Sequence, residues 1–406
     1  MKKLLYAVLL FLPSLLQAQN TPQGVLRGNF QFLAQQYSAD SLINATVPAS
    51  KASINGFGNF LYTHGKVSAG WRIETYQNAI QGYSAQNRYK GTGIGNRYVT
   101  YADSTLEITI GNFYEQFGNG LTLRTYWEPN LGIDNALDGT RVIFRPTSGV
   151  TLKGIWGKQR LDFDNQIIHA DGTIRGFDTE IWINELVKKW GDAKTRVMVG
   201  GNFVSRYQPG GNRFVDTLVF VIPDNVAMYS GRVQVQRGNW MMMGEYAQKI
   251  NDPSADNGYI YRQGKGIFFN SSYSKKGFGV NVMAKSIDNL SFRGDRNLKL
   301  FDVPVNYTPA ITKQHTYNLA ATLYPYATPL TGEASYMLEV YYSLPKGSKL
   351  GGKYGTQISA SYAAANCLDT TQYTGVNALT EGYKVNTLGF GKTKYVRDFN
   401  FDIKRK

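Results

Sequence analysis

A single cysteine, Cys367, stands in 406 residues, so no internal disulfide can form and the fold must stand on packing and hydrogen bonds. Histidine is nearly as scarce: His64, His169 and His315 lie far apart, and none has the partner four residues away that a helical zinc site needs. Beyond residue 18 no apolar stretch nears the roughly 20 residues that a membrane-spanning helix requires. No G-x-S-x-G elbow occurs. Gly391-Lys392-Thr393 resembles the tail of a phosphate loop, but Asn386 stands where its first glycine belongs. Gly91-Thr92-Gly93-Ile94-Gly95 lacks both the spacing of a dinucleotide-binding turn and a following helix pattern. Together these absences set aside a disulfide scaffold and a helical membrane bundle. They leave an expectation of no enzymatic activity, no cofactor and no metal.

Carboxylates are in deficit too. The chain has 29 Asp and Glu against 44 Lys and Arg, a formal net charge of +15. Such a balance suits nucleic acid, anionic lipid headgroups or anionic solutes. The chain's start decides among these. Lys2 and Lys3 precede a short apolar stretch, Leu4 to Leu16, broken only by Pro13 and Ser14, and Gln17-Ala18 then offers a small residue for cleavage. That is the layout of a secretory signal peptide over residues 1–18. No cysteine follows it to take a lipid anchor. Export points away from nucleic acid and toward the outer membrane of a Gram-negative cell.

What is abundant fits a wall with one apolar and one polar face. Hydrophobic residues are 42%, aromatics 14% with 28 Tyr, and there are 43 Gly, yet mean hydropathy is −0.32. Alternation at period 2 is the dominant signal. In Thr105-Leu106-Glu107-Ile108-Thr109-Ile110 the apolar side chains share one face and Glu107 and Thr109 the other. Residues 232–236, 317–323 and 336–342 repeat the pattern. In Met241-Met242-Met243 successive side chains point to opposite faces, so the three cannot converge on one ion.

Connections alternate as well. Short breaks fall at His64-Gly65-Lys66, Ala102-Asp103-Ser104, Thr147-Ser148-Gly149, Trp190-Gly191-Asp192, Arg237-Gly238-Asn239 and Lys275-Lys276-Gly277. Longer polar stretches lie between them, at about 38–52, 77–94, 113–138, 159–171, 206–223, 250–263 and 288–312. Tight turns on one rim and long loops on the other are how bacterial outer-membrane barrels are built. The pattern predicts an all-β fold: one antiparallel transmembrane barrel of roughly 16–18 strands over residues 24–406. The chain stops at Lys406 rather than on the aromatic residue that generally ends such a barrel. This leaves either an unusual last strand or a chain lacking its last strands.

Alternation fails from Phe113 to about Asp138, where Gly118, Gly120 and Gly132 punctuate a run crowded with charge. Glu115, Arg124, Glu128, Asp134, Asp138, Arg141 and Arg145 are the candidate pore-lining residues, because rings of charge usually set pore selectivity. With Val142 and Phe144 facing lipid, Arg141 and Arg145 would face the lumen. A salt-bridged network that stiffens the wall and transports nothing is the competing reading of the same residues.

The run GNFYEQFGNGLTLRTY, followed by LGIDNALDGTRV, resembles an uncharacterised outer-membrane β-barrel family of Bacteroidota-type bacteria. That resemblance implies fold and location and carries no site residues. Two functions remain in view. The leading one is a porin-like passive channel for small hydrophilic solutes, anionic ones if the lumen is net positive. The other is a structural or assembly partner in an outer-membrane complex, its lumen plugged by the 113–138 segment. Expected partners are outer-membrane lipids, small anionic solutes for the first, and other outer-membrane proteins for the second. No nucleic acid is expected.

Overall fold

The structure is a computed structural model describing residues 24–80, 88–129, 132–215, 217–299, 302–313, 326–329 and 332–405. The expectations for residues 1–18 and for a strand at 317–323 lie outside the described residues.

Where the sequence alternates, the backbone is extended, and sixteen strands hydrogen-bond into one sheet. They are β1 (Val25–Gln36), β2 (Ala52–His64), β3 (Val67–Gln77), β4 (Tyr89–Ala102), β5 (Leu106–Phe113), β6 (Leu137–Phe144), β7 (Val150–Asp164) and β8 (Ile167–Trp182). β9 (Thr195–Tyr207), β10 (Asn225–Arg237), β11 (Trp240–Lys249), β12 (Gly264–Lys275), β13 (Phe278–Asp288), β14 (Gly332–Leu344), β15 (Thr356–Gln372) and β16 (Tyr383–Arg405) complete it. Hydrogen-bonded order is chain order, so each strand lies antiparallel beside the next. This is the all-β antiparallel transmembrane barrel that the alternation predicts.

Alternation also sorts the two faces. In β10, Val226, Met228 and Arg232 are buried inward, while Tyr229 and Val233 are 43% and 47% exposed on the outside. Ile110, Trp156 and Phe177 on their strands likewise face out. An apolar outer surface of this kind is solvated by lipid, not water. Met242 points outward, and Met241 and Met243 to the other side, as strand geometry requires.

Short turns close one rim. At the β4–β5 turn, the Asp103 carboxylate accepts backbone N–H groups of Thr105 and Leu106, each at 2.9 Å. Those two bonds, with Tyr101 and Lys66, hold its pKa well below the usual carboxylate range. Two connections differ from the sequence reading. The stretch 159–171 is not a loop: β7 and β8 continue through it as a hairpin that turns at Asn165 and Gln166, with Asn165 in the left-handed region at φ 56°. Asparagine tolerates that conformation, so its charged neighbours can stay in the wall. The break at 190–192 belongs to a longer connection with two short helical turns, Ile183–Leu186 and Lys188–Trp190.

β5 and β6 are shorter than the strands beside them. Above their ends β4 and β7 meet directly, pairing in parallel at Phe163–Tyr89 and Asp164–Lys90. The wall thus stays continuous while residues 114–129 and 132–136 leave it and fold inward.

Candidate functional site

The interior is occupied by two connections: 114–129 with 132–136, between β5 and β6, and 289–299 with 302–313, after β13. The first is pinned by two small ladders, Gln116–Phe117 with Leu123–Arg124 and Trp127–Glu128 with Ile133–Asp134. Its tip turns through Gly118 (φ 51°) and Gly120 (φ 84°). A Cβ on Gly120 would lie 2.6 Å from the Tyr307 carbonyl oxygen, so only glycine lets the two segments approach this closely.

The segments are stitched together by backbone groups that would otherwise lack partners. Arg124 N–H donates to Val305 O at 2.8 Å, and Tyr307 N–H to Gly120 O at 3.2 Å. Asn306 clamps both: its side-chain amide donates to Leu121 O and Leu290 O, each at 2.9 Å, and its carbonyl accepts Phe292 N–H at 3.0 Å. Around this pair of segments lies a dry core. Phe117, Leu121, Leu123, Leu290, Phe292 and Val305 pack with inward residues of the wall from Phe113 on β5 to Ile287 on β13. Trp127 packs edge-on against Phe57 of β2, within a cluster that includes Tyr76 and Phe163, and Ile311 packs in a cluster with Met337 and Ala363. Apolar contact from the inward segments therefore reaches wall strands from β2 to β15. Burying each large side chain contributes roughly 1.5–3 kcal/mol.

Several of the charges inside the barrel are paired. Arg160 of β7 grips Glu74 of β3 with two bonds of 2.7 Å and reaches Asp134 of the plug at 2.9 Å. Arg72 pairs with Glu74 at 2.7 Å and with Asp134, and its guanidinium lies 4.0 Å from the Trp127 ring. Tyr114 donates to Asp134 at 2.9 Å and Tyr76 to Glu74 at 2.7 Å. Two arginines and two carboxylates thus bridge wall and plug with their charges balanced. At the plug's tip, Glu245 of β11 accepts from Asn119 N–H at 2.8 Å and from its side chain at 2.7 Å. The second segment is held by Arg206, which pairs with Asp252 at 2.6 Å and donates to Arg293 O at 3.0 Å. Burial works against the Asp252 carboxylate, but Arg206, Lys249 and Arg296 outweigh it and hold its pKa below the usual range.

The seven candidate residues divide among six places. Asp134 sits in the buried bridge just described. Glu115 and Arg141 form a second group with Lys153, which lies 2.9 Å from Glu115; Arg141 reaches Glu115 at 3.5 Å and also pairs with Glu107. Arg124 lies in the plug between Tyr126 and Tyr307, at 5.7 and 5.4 Å from their rings. Burial pushes the Tyr126 hydroxyl up to about 12, with Arg124 opposing it. Glu128 is half-buried in the second small ladder. Asp138 meets Arg97 at 3.3 Å and His169 at 2.9 Å. Arg145 lies past the end of β6 at the short-turn rim, exposed, its backbone N–H bonded to Thr105 O.

Glu74, Arg72, Arg160 and Glu245 went unnoticed in the sequence. Arg72, Glu74 and Tyr76 alternate with Trp71, Ile73 and Thr75, a pattern that marks an inward charged face. Arg160 was hidden in a stretch read as loop. Beside the bridge, a cavity of about 360 Å³ is lined by Asn29, Asn59, Asn96, Arg72, Tyr114 and Trp127 among others.

Several solved structures resemble the chain at low identity. OmpT, an outer membrane protein of Vibrio cholerae folded in vitro, is 11% identical, with 95% of this chain and 98% of that chain covered and a TM-score of 0.38. OccK9 (OpdG) of Pseudomonas aeruginosa is 13% identical, with 94% and 92% covered and a TM-score of 0.43. The outer membrane channel DcaP of Acinetobacter baumannii is 9% identical, with 94% and 96% covered and a TM-score of 0.37. Among curated proteins none matches. A family model described as a family of unknown function, DUF6029, matches residues 1–406.

Proposed function

The chain belongs to the DUF6029 family of unknown function, and for it we propose an outer-membrane β-barrel whose lumen is held shut by its own connections, a structural or assembly barrel in an outer-membrane complex. The observation that carries this reading is the dry core in which Phe117, Leu121, Leu123, Phe292 and Val305 pack against the wall. A passive porin needs a continuous wet path. Here the contacts of the inward segments run from Phe57 on β2 to the Met337–Ala363 cluster on β14 and β15. The bridging charges are neutralised in place, so the expected positive field for anions gains no support from them. The site in the cell is the outer membrane of a Gram-negative, Bacteroidota-type bacterium, reached by export; the apolar outer face and the residue 111–142 motif favour it. The barrel is non-enzymatic in this reading, and its partners are other outer-membrane proteins.

One observation favours the porin-like alternative. The cavity beside Arg72 and Tyr114 is lined largely by amides and aromatic rings, surfaces suited to a small hydrophilic solute. Planar-bilayer recording of the folded, full-length protein under a salt gradient separates the two. The closed reading expects no stepwise current. Stable current with anion preference overturns it and restores the channel.

A further inference from the structure

The positive charge of the chain is unevenly placed. The connection 345–355 carries Lys346, Lys349 and Lys353 and no carboxylate, and the β12–β13 turn carries Lys275 and Lys276 and none. The β8–β9 connection carries Lys188, Lys189 and Lys194 against Glu185 and Asp192. All three connections lie on the short-turn rim. On the other rim the connection 250–263 carries Asp252 and Asp256 against Arg262, each engaged in an ion pair.

The rim lysines are solvent-exposed, and Lys188, Lys189, Lys275, Lys276, Lys349 and Lys353 have no ion pair among the described residues. Apolar side chains are interleaved with them. Leu186, Val187 and Trp190 flank Lys188 and Lys189, and Leu350 and Tyr354 flank Lys353; all five are exposed. Lys275 lies 5.7 Å from the Phe278 ring and Lys353 5.2 Å from the Tyr354 ring.

We propose that the short-turn rim is a docking surface for anionic phospholipids of the adjoining leaflet. Phosphate groups are held by these six lysines, and the apolar neighbours enter the headgroup boundary. A soluble polyanion would satisfy the lysines but would gain nothing from exposed Leu186, Val187, Trp190 and Leu350. A lipid satisfies both, since aromatic rings and long cationic side chains are the groups that settle at the membrane–water interface. Each such lysine adds attraction to an anionic surface and loses it with rising salt. This inference does not depend on whether the lumen conducts.

The test reconstitutes the full-length protein in phosphatidylcholine vesicles and follows spin-labelled phosphatidylglycerol and phosphatidylcholine at the barrel surface. The expected result is preferential association of phosphatidylglycerol by about fivefold at low salt, falling as salt is raised. A variant with the six lysines changed to glutamine should lose the preference, and one with all six changed to arginine should keep it. The substituted positions are exposed connections, and unchanged strand content by circular dichroism checks that each variant is folded. Equal association of the two lipids, or the same preference in the glutamine variant, overturns the proposal. So does binding of soluble polyglutamate to wild-type protein in phosphatidylcholine vesicles without any preference for phosphatidylglycerol, which would make the rim a site for a soluble anionic partner.

Discussion

Arg160 is enclosed completely, yet it carries a charge, because Glu74 takes both ends of its guanidinium and Asp134 takes one again. The bridge is balanced, and that makes it sensitive to the loss of any one member. Arg160→Met leaves two buried carboxylates facing Arg72 alone. A broken buried pair costs about 3–5 kcal/mol. The double variant Glu74→Met/Arg160→Met leaves Arg72 with Asp134 at equal charge, so it should be closer to wild type than the single variant. Urea unfolding midpoints of the two proteins in detergent check this order. A double variant less stable than the single one would mean that packing, not charge, dominates the bridge. Of these residues only Asp134 stood out in the sequence, where it lay in a visibly charged run. Arg72 and Glu74 are spaced by two on a strand, which places them on the inner face, but spacing does not say which distant charge they meet.

At the scale of elements, the second inward connection depends on Asp252. Its carboxyl is buried, and burial favours the neutral form, but Arg206, Lys249 and Arg296 hold its pKa below the unfolded value. A depressed folded pKa contributes stability that is present above the unfolded carboxylate pKa, about 3.9, and is lost as pH falls through the folded value. Amide exchange in residues 250–263 and 289–299 should therefore speed up below about pH 4. Asp252→Asn leaves Arg206 and Lys249 without their counter-charge, so exchange there should already be fast at neutral pH and change little on acidification. A wild-type profile as flat as the variant's would remove Asp252 from this role. Element types were largely legible in advance. Alternation located β5, β10 and β14, because one lipid face and one interior face impose period 2 on every wall strand. It failed at β7 and β8, where charged side chains facing the plug and bulges between Lys158 and Asp162 imitate a loop.

For the whole molecule, the plug decides between a conduit and a closed scaffold. Its contacts come from two connections more than 150 residues apart in the chain, joined where Asn306 holds Leu121 and Leu290. Replacing residues 116–134 with a short Gly-Ser turn between β5 and β6 removes Phe117, Leu121, Leu123 and Trp127 together. The expected outcome is stepwise current in planar bilayers from the shortened protein where the wild type gives none. A shortened barrel that folds and stays silent would show that residues 289–313 seal the lumen unaided. An open wild-type channel would instead leave the current of the two proteins alike.

The sequence by itself determined the fold class, the two unlike rims and the inward excursion at 113–138, because each follows from local rules. Period-2 alternation reports the two solvents of a barrel wall, and turn chemistry reports its rims. Only the tertiary structure decided which surfaces the excursion meets. That outcome rests on shape matching between Leu121, Phe292, Val305 and the inner faces of β7 to β11, and on Arg160 meeting Glu74 across 86 residues of chain. Apolar tips and paired charges read the same in a sequence whether they close a barrel or border a pore; the difference lies in which surfaces come within contact distance.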